Sequence, residues 1–175
     1  MTEWISSVNE GGILQIRIER PSRKNALTRA MYSRMAELLE QSGADERVRC
    51  ILLTGTQECF TAGNDMSDFV QMSAEHETPL ADQPVFRFLH ALQGCNKPVV
   101  AAVCGPAVGI GTTMLLHCDY VVAAPNAVFS TPFVRLGLCS EGAASTLLPL
   151  VVGMRVAQAM LMIATIPRRI RTRRI

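Results

Sequence analysis

Carboxylates are scarce in the second half of this chain. Between Asp82 and Ile175 there are only two, Asp119 and Glu141. Glu141 sits in Leu138–Cys139–Ser140–Glu141–Gly142–Ala143–Ala144, among small and apolar neighbours. A carboxylate in that setting is either exposed on a loop or buried for chemistry, and burial raises its pKa toward the range of a general base. Long apolar runs are missing too. No stretch of about 18 apolar residues occurs, so no segment reads as a membrane span. The N-terminus lacks the basic, apolar and small-residue order of a secretory signal and the arginines of a transit peptide, and the chain does not end in Ser–Lys–Leu. The cysteines at 50, 59, 95, 104, 118 and 139 form no CxxC pair and have no His at metal-ligand spacing, so no metal is expected. They read as reduced core residues of an intracellular protein, cytoplasmic by default, with an organellar compartment left open.

Several catalytic patterns are absent as well. Ser140 has no His–Asp partners in view, which argues against a nucleophilic triad. The glycine-rich turn at 105–111 lacks the Lys–Ser/Thr of a P-loop and the spacing of the dinucleotide fingerprint. His76 reads as solvated, and His90 and His117 as packed or satisfied in helical stretches.

Charge is unevenly spread. The formal net charge is +2, but five arginines lie at 168, 169, 171, 173 and 174. Without them the chain has 12 basic against 15 acidic residues, or −3. A mildly acidic body of this kind gives no reason to expect a nucleic-acid partner.

What is present has the order of an α/β fold. Ile13 to Glu19 alternates strictly, with Leu14, Ile16 and Ile18 on one face, as a half-buried strand does. Arg20 to Ala26 is a polar loop, and Thr28 can cap a helix carrying Met31, Met35, Leu38 and Leu39. Val48 to Thr54 is a second strand, followed by a loop of small residues to Met66. Ser73 to Pro84 reads as a polar surface segment, Val85 to Leu92 as a helix, and Pro98 to Val103 as a buried strand. Then come Gly105, Pro106, Gly109 and Gly111, ahead of the apolar segment Thr112 to His117. Glycines that join a strand to a helix either make a tight turn or let backbone N–H groups approach a ligand. The units 48–65 and 99–112 share this strand–turn–helix plan, so each turn could offer one N–H to a common ligand.

Five landmarks, in order, make the resemblance specific. They are Arg20–Pro21 with Asn25–Ala26–Leu27, Phe60–Thr61–Ala62–Gly63–Asn64–Asp65, Lys97 to Val103, Gly105–Pro106–Ala107–Val108–Gly109–Ile110–Gly111, and Thr131–Pro132–Phe133. Over about 13–162 the chain resembles the crotonase family of enoyl-CoA hydratases and isomerases. The resemblance implies a spiral of repeated β-β-α units and an acyl-CoA thioester as substrate, with no separate cofactor. It implies an oxyanion hole made by the backbone N–H groups of Asn64 and Ile110, and ligand contacts from Ala62, Gly63, Asp65, Met66, Gly109 and Phe133. Arg23 and Lys24 fall where the family contacts the CoA nucleotide, although two solvated loop charges would look the same. Asp65 and Asp68 could equally cap the helix that follows. A homotrimer or a hexamer is implied as well.

The family's hydratases use two glutamates, and those positions fall here at Thr113 and Phe133. The segment from Thr131 to Gly142 looks instead like the Δ3,Δ2-enoyl-CoA isomerases, which implies Glu141 as the single proton shuttle. An inactive acyl-CoA-binding paralogue and a hydratase are the alternatives. Family members continue through further helices, whereas residues 165–175 match nothing expected of them. We therefore expect a core over 1–164 without the family's C-terminal helical region, then an Arg-rich ending of out-of-frame or truncated origin.

Overall fold

The computed structural model describes residues 4–68, 79 and 83–164. Two strands open it, β1 (Ile5–Glu10) and β2 (Ile13–Ile18), paired antiparallel. The apolar alternation of β2 buries Leu14, Ile16 and Ile18, as the sequence predicts. In β1 only Ile5 is buried, so the strand shows no periodicity and could not be read in advance. β3 (Cys50–Thr54), β4 (Val99–Val103) and β6 (Tyr120–Ala123) extend the sheet in parallel, in the order β1-β2-β3-β4-β6. Ile16, Leu53 and Ala101 lie in register across three strands and are all buried, forming one row of the core.

Each strand of the large sheet after β1 runs on into a short extended stretch in a second layer, and from there into a helix. β2 leads through Leu27 to α1 (Arg29–Ala44). β3 leads through Thr61 to Asn64 and, after the undescribed part, to α2 (Pro84–Gln93). β4 leads through β5 (Pro106–Val108) to α3 (Ile110–Thr113), which continues as a 3-10 turn over Met114–His117. β6 leads through β7 (Val128–Ser130) and a 3-10 turn at Pro132–Leu136 toward α4 (Ala144–Val152). The second layer is parallel throughout: Leu27 pairs with Asn64, Thr61 with Ala107, and β5 with β7. This is the repeated β-β-α spiral.

Thr28 caps α1 as expected, its hydroxyl oxygen accepting the Met31 N–H at 3.4 Å. Met31, Met35, Leu38 and Leu39 face the core together with Tyr32 and Ala36. Pro84 does not end a surface segment. It opens α2, where its fixed φ and missing N–H do no harm. The rest of the expected surface segment, apart from Pro79 and Gln83, lies outside the described residues, as do His76 and the Arg-rich ending. The sequence reading missed α4 because Gly142 and Ala143 precede it at positive φ and Pro149 sits inside it. α4 packs on α5 (Met154–Ile163) around Leu148, Ala157 and Met160, while Leu150, Val151, Met154, Met162 and Ile163 are exposed. All six cysteines are free, but only Cys59 is buried and Cys139 is exposed, so they are not uniformly core residues. His90 is exposed, because it faces away from the α1–α2 contact, and is not packed as expected. Among the described residues no helix is long and apolar enough to cross a membrane, and no cluster of three or more His, Cys, Asp or Glu could hold a metal ion.

Candidate active site

The loop after β3 is held by the loop after β2. Asn25 is fully buried and donates through Nδ2 to the carbonyls of Cys59 (2.7 Å) and Phe60 (3.3 Å). Its Oδ1 accepts the Arg20 N–H, and its own carbonyl accepts the Thr61 hydroxyl at 2.6 Å. Lys24 joins in through its backbone, its carbonyl accepting the Ala62 N–H at 3.0 Å. Lys24 and Asn25 both adopt left-handed conformations, with φ of 48° and 58°. The side chains of Arg23 and Lys24 are exposed, and neither forms an ion pair among the described residues.

The second turn lies against the first. Thr61 pairs with Ala107, the Val108 N–H donates to the Thr61 carbonyl, and Gly63 (φ 91°) packs on the Val108 carbonyl. Three of the neighbouring N–H groups are engaged. Gly63 donates to Thr61 Oγ1, Asp65 to the Leu27 carbonyl, and Gly109 to the Ser130 carbonyl. The N–H groups of Asn64 and of Ile110 have no acceptor among the described residues. Ile110 is the first residue of α3, where an N–H has no intrahelical partner. Gly109, at φ 57°, approaches the Phe133 ring; a Cβ there would lie 3.9 Å from the ring Cε1. Phe133 and Asp65 are buried, Ala62 is half-buried and Met66 is exposed.

The Asp65 carboxylate has protein partners. It accepts from the Arg20 guanidinium at 2.7 Å, and from the Ser67 hydroxyl and N–H, which caps the turn that follows. The Ser67 hydroxyl and the Arg20 guanidinium hold its pKa down at about 2. Arg20 also lies 4.8 Å above the Trp4 ring.

Glu141 enters from the segment before α4. Its Oε1 is buried and has no hydrogen-bond partner among the described residues, and burial raises its pKa. Gly142 (φ 60°) passes close to Thr113, whose buried Oγ1 is likewise without a partner. His117 Nε2 lies 2.9 Å from the Gly142 carbonyl and ties this segment to the turn after α3. Tyr32 also belongs to this group. Its hydroxyl is 2.5 Å from Asn64 Oδ1, and its pKa is raised well above the ordinary value by burial first and then by the Glu141 and Asp68 carboxylates. The fold thus brings Asn64, Ile110, Gly109, Phe133 and Glu141 toward one region. The sequence reading did not anticipate Tyr32; it named Thr61 only within a landmark, and its reading of His117 as packed or satisfied agrees with the contact to Gly142. For Tyr32 a signal existed: it is the one aromatic residue in the run of buried side chains on α1. Asn25 was noticed only as a landmark, not as the clasp it is.

Comparison with known proteins settles the family. A family model described as enoyl-CoA hydratase/isomerase matches residues 8–168. The chain belongs to that family. It is 37% identical over 157 residues to the 1,2-epoxyphenylacetyl-CoA isomerase of Escherichia coli (strain K12), covering 87% of this chain and 60% of that protein. It is 36% identical over 163 residues to enoyl-CoA delta isomerase 2 of Rattus norvegicus, covering 92% and 41% respectively. Among solved structures, Pseudomonas aeruginosa OdaA superposes with a TM-score of 0.88 at 50% identity, covering 95% of this chain and 66% of that one. The chain therefore spans 60% or less of the length of these two curated relatives.

Proposed function

We propose that this family member binds an acyl-CoA thioester and moves a double bond from 3-enoyl-CoA to trans-2-enoyl-CoA, with Glu141 as the only acid–base group. The observation that carries the reading is the half-buried Glu141, whose Oε1 is enclosed without a protein partner and whose pKa is raised by desolvation. A base kept in that state is poised to take a proton rather than to hold the fold together. It removes a proton from C2, and the electron pair delocalises onto the thioester oxygen as a dienolate. The N–H groups of Asn64 and Ile110, which have no other acceptor, would receive that oxygen; each such donor is worth about 3 kcal/mol in the transition state. Glu141 then returns the proton at C4, leaving the double bond between C2 and C3. Nothing is added or lost, so no co-reactant is needed.

Hydration would require a second group to activate water. The positions where hydratases carry glutamates hold Thr113 and Phe133 here, and neither ionises. In this reading Arg23 and Lys24 meet the CoA phosphates, and Ala62, Gly63, Asp65, Met66, Gly109 and Phe133 line the thioester and its chain. Assembly as a homotrimer or hexamer is part of the proposal, to be measured by light scattering.

The test is turnover of a medium-chain 3-enoyl-CoA by the purified chain beside Glu141→Gln. Activity in the wild type and its loss in the variant, with acyl-CoA binding kept, is the expected result. A variant that turns over normally overturns the role of Glu141. Binding without turnover by the wild type would make the chain a binding protein instead.

A further inference from the structure

The Asn64 N–H belongs to the Gly63–Asn64 peptide, whose carbonyl accepts the Leu27 N–H at 2.8 Å. In a planar trans peptide the N–H and C=O point in opposite directions, so this bond turns the N–H away from Leu27. The next peptide is tied to the same residue, because the Asp65 N–H donates to the Leu27 carbonyl at 2.8 Å. Backbone ties to one residue still allow the pair of peptides to rock about it. A third point of attachment is supplied by Tyr32, whose hydroxyl is 2.5 Å from Asn64 Oδ1.

Tyr32 suits that task. It is 3% exposed, and its ring lies 5.7 Å from that of Phe88 on α2, so the hydroxyl is presented from the packed contact between two helices. Burial and the nearby Glu141 and Asp68 carboxylates keep it protonated, and so a donor. A hydroxyl that merely needed satisfying could take a backbone carbonyl. This one takes the side chain of the residue whose own N–H is left open.

We propose that Tyr32 is a positioning residue, whose hydroxyl fixes Asn64 through its side-chain oxygen so that the Asn64 N–H is held in line with a bound thioester oxygen. This rests on the reading of the Asn64 N–H as a thioester donor. Tyr32 touches no substrate; it acts through Asn64.

The test reads the thioester carbonyl itself. The full chain, wild type and Tyr32→Phe, is saturated with a medium-chain saturated acyl-CoA carrying 13C at the carbonyl, and its stretching band is measured by infrared difference spectroscopy. Donors at the oxygen lower the band. Tyr32→Phe should bind the acyl-CoA within about twofold of wild type and lose roughly half of the downshift, since one donor of two is disturbed. On 3-enoyl-CoA, kcat should fall about tenfold with KM little changed. An undiminished downshift in Tyr32→Phe overturns the inference. Should that variant not fold, Asn64→Ala keeps the main-chain N–H and removes the acceptor. It should show the same reduced shift, and the full shift in it is equally fatal. Wild-type chain that binds no acyl-CoA, or binds it without a downshift, removes the reading of Asn64 and this inference with it. A normal wild-type shift with an unaffected Tyr32→Phe removes this inference alone.

Discussion

Gly63 runs so close to Val108 that a Cβ on it would sit 2.8 Å from the Val108 carbonyl oxygen. The neighbour is backbone, the last residue of β5 in register with Ser130 of β7, and cannot swing aside as a side chain would. At φ 91° the position is also costly for any L residue. Gly63→Ala is therefore expected to lose about 2 kcal/mol of stability and most acyl-CoA affinity. Urea denaturation and titration with the ligand check both.

Asn25 makes a similar case by a different route. Replacing it with Ala removes both Nδ2 bonds to the 59–60 loop and the acceptor of the Arg20 N–H, while leaving a left-handed backbone without the residue type that tolerates it. A loss of about 3 kcal/mol is expected in chemical denaturation. Asn25→Gly relieves the backbone but not the lost bonds, and should recover only part of it.

Asp65 and Arg20 form an ion pair whose side chains are 11% and 12% exposed. Asp65→Asn leaves the guanidinium without its anion, for a loss of about 3 kcal/mol at neutral pH. Because the pKa of Asp65 is depressed to about 2, its stabilisation is present above the ordinary 3.8 and disappears as pH falls from there toward 2. Denaturation midpoints of wild type and variant should converge over that window. A gap unchanged at low pH would show that the pair is not responsible.

Glu141 has the opposite sign. Its raised pKa means that the folded state favours the proton. Folding therefore loses stability as pH rises from the ordinary 4.5 through the raised value. Glu141→Gln, which never ionises, should be more stable than wild type at neutral pH and equal to it below about pH 4. A variant less stable than wild type at pH 7 would mean that the carboxylate has a structural partner.

Much of the scaffold was legible because its signals are local. The alternation at 13–18 specified a strand with one buried face, and Thr28 marked the start of α1 whatever lay around it. Edges were not legible: β1 and β6 bury too little to leave a pattern, and α4 hides behind Gly142, Ala143 and Pro149. At the site, the glycines at 63, 109 and 142 were visible as residues, but what each approaches was not.

The chain alone determined its family, the order of its strands and turns, and the types of residue at the site, because these are properties of neighbours in sequence. Only the tertiary structure decided that Glu141 holds one oxygen buried and unpartnered, that Asn25 clasps residues 59 and 60, and that Tyr32 reaches Asn64. The cause is physical. Burial and hydrogen bonding between residues tens of positions apart depend on which surfaces pack together, and no local periodicity records that choice.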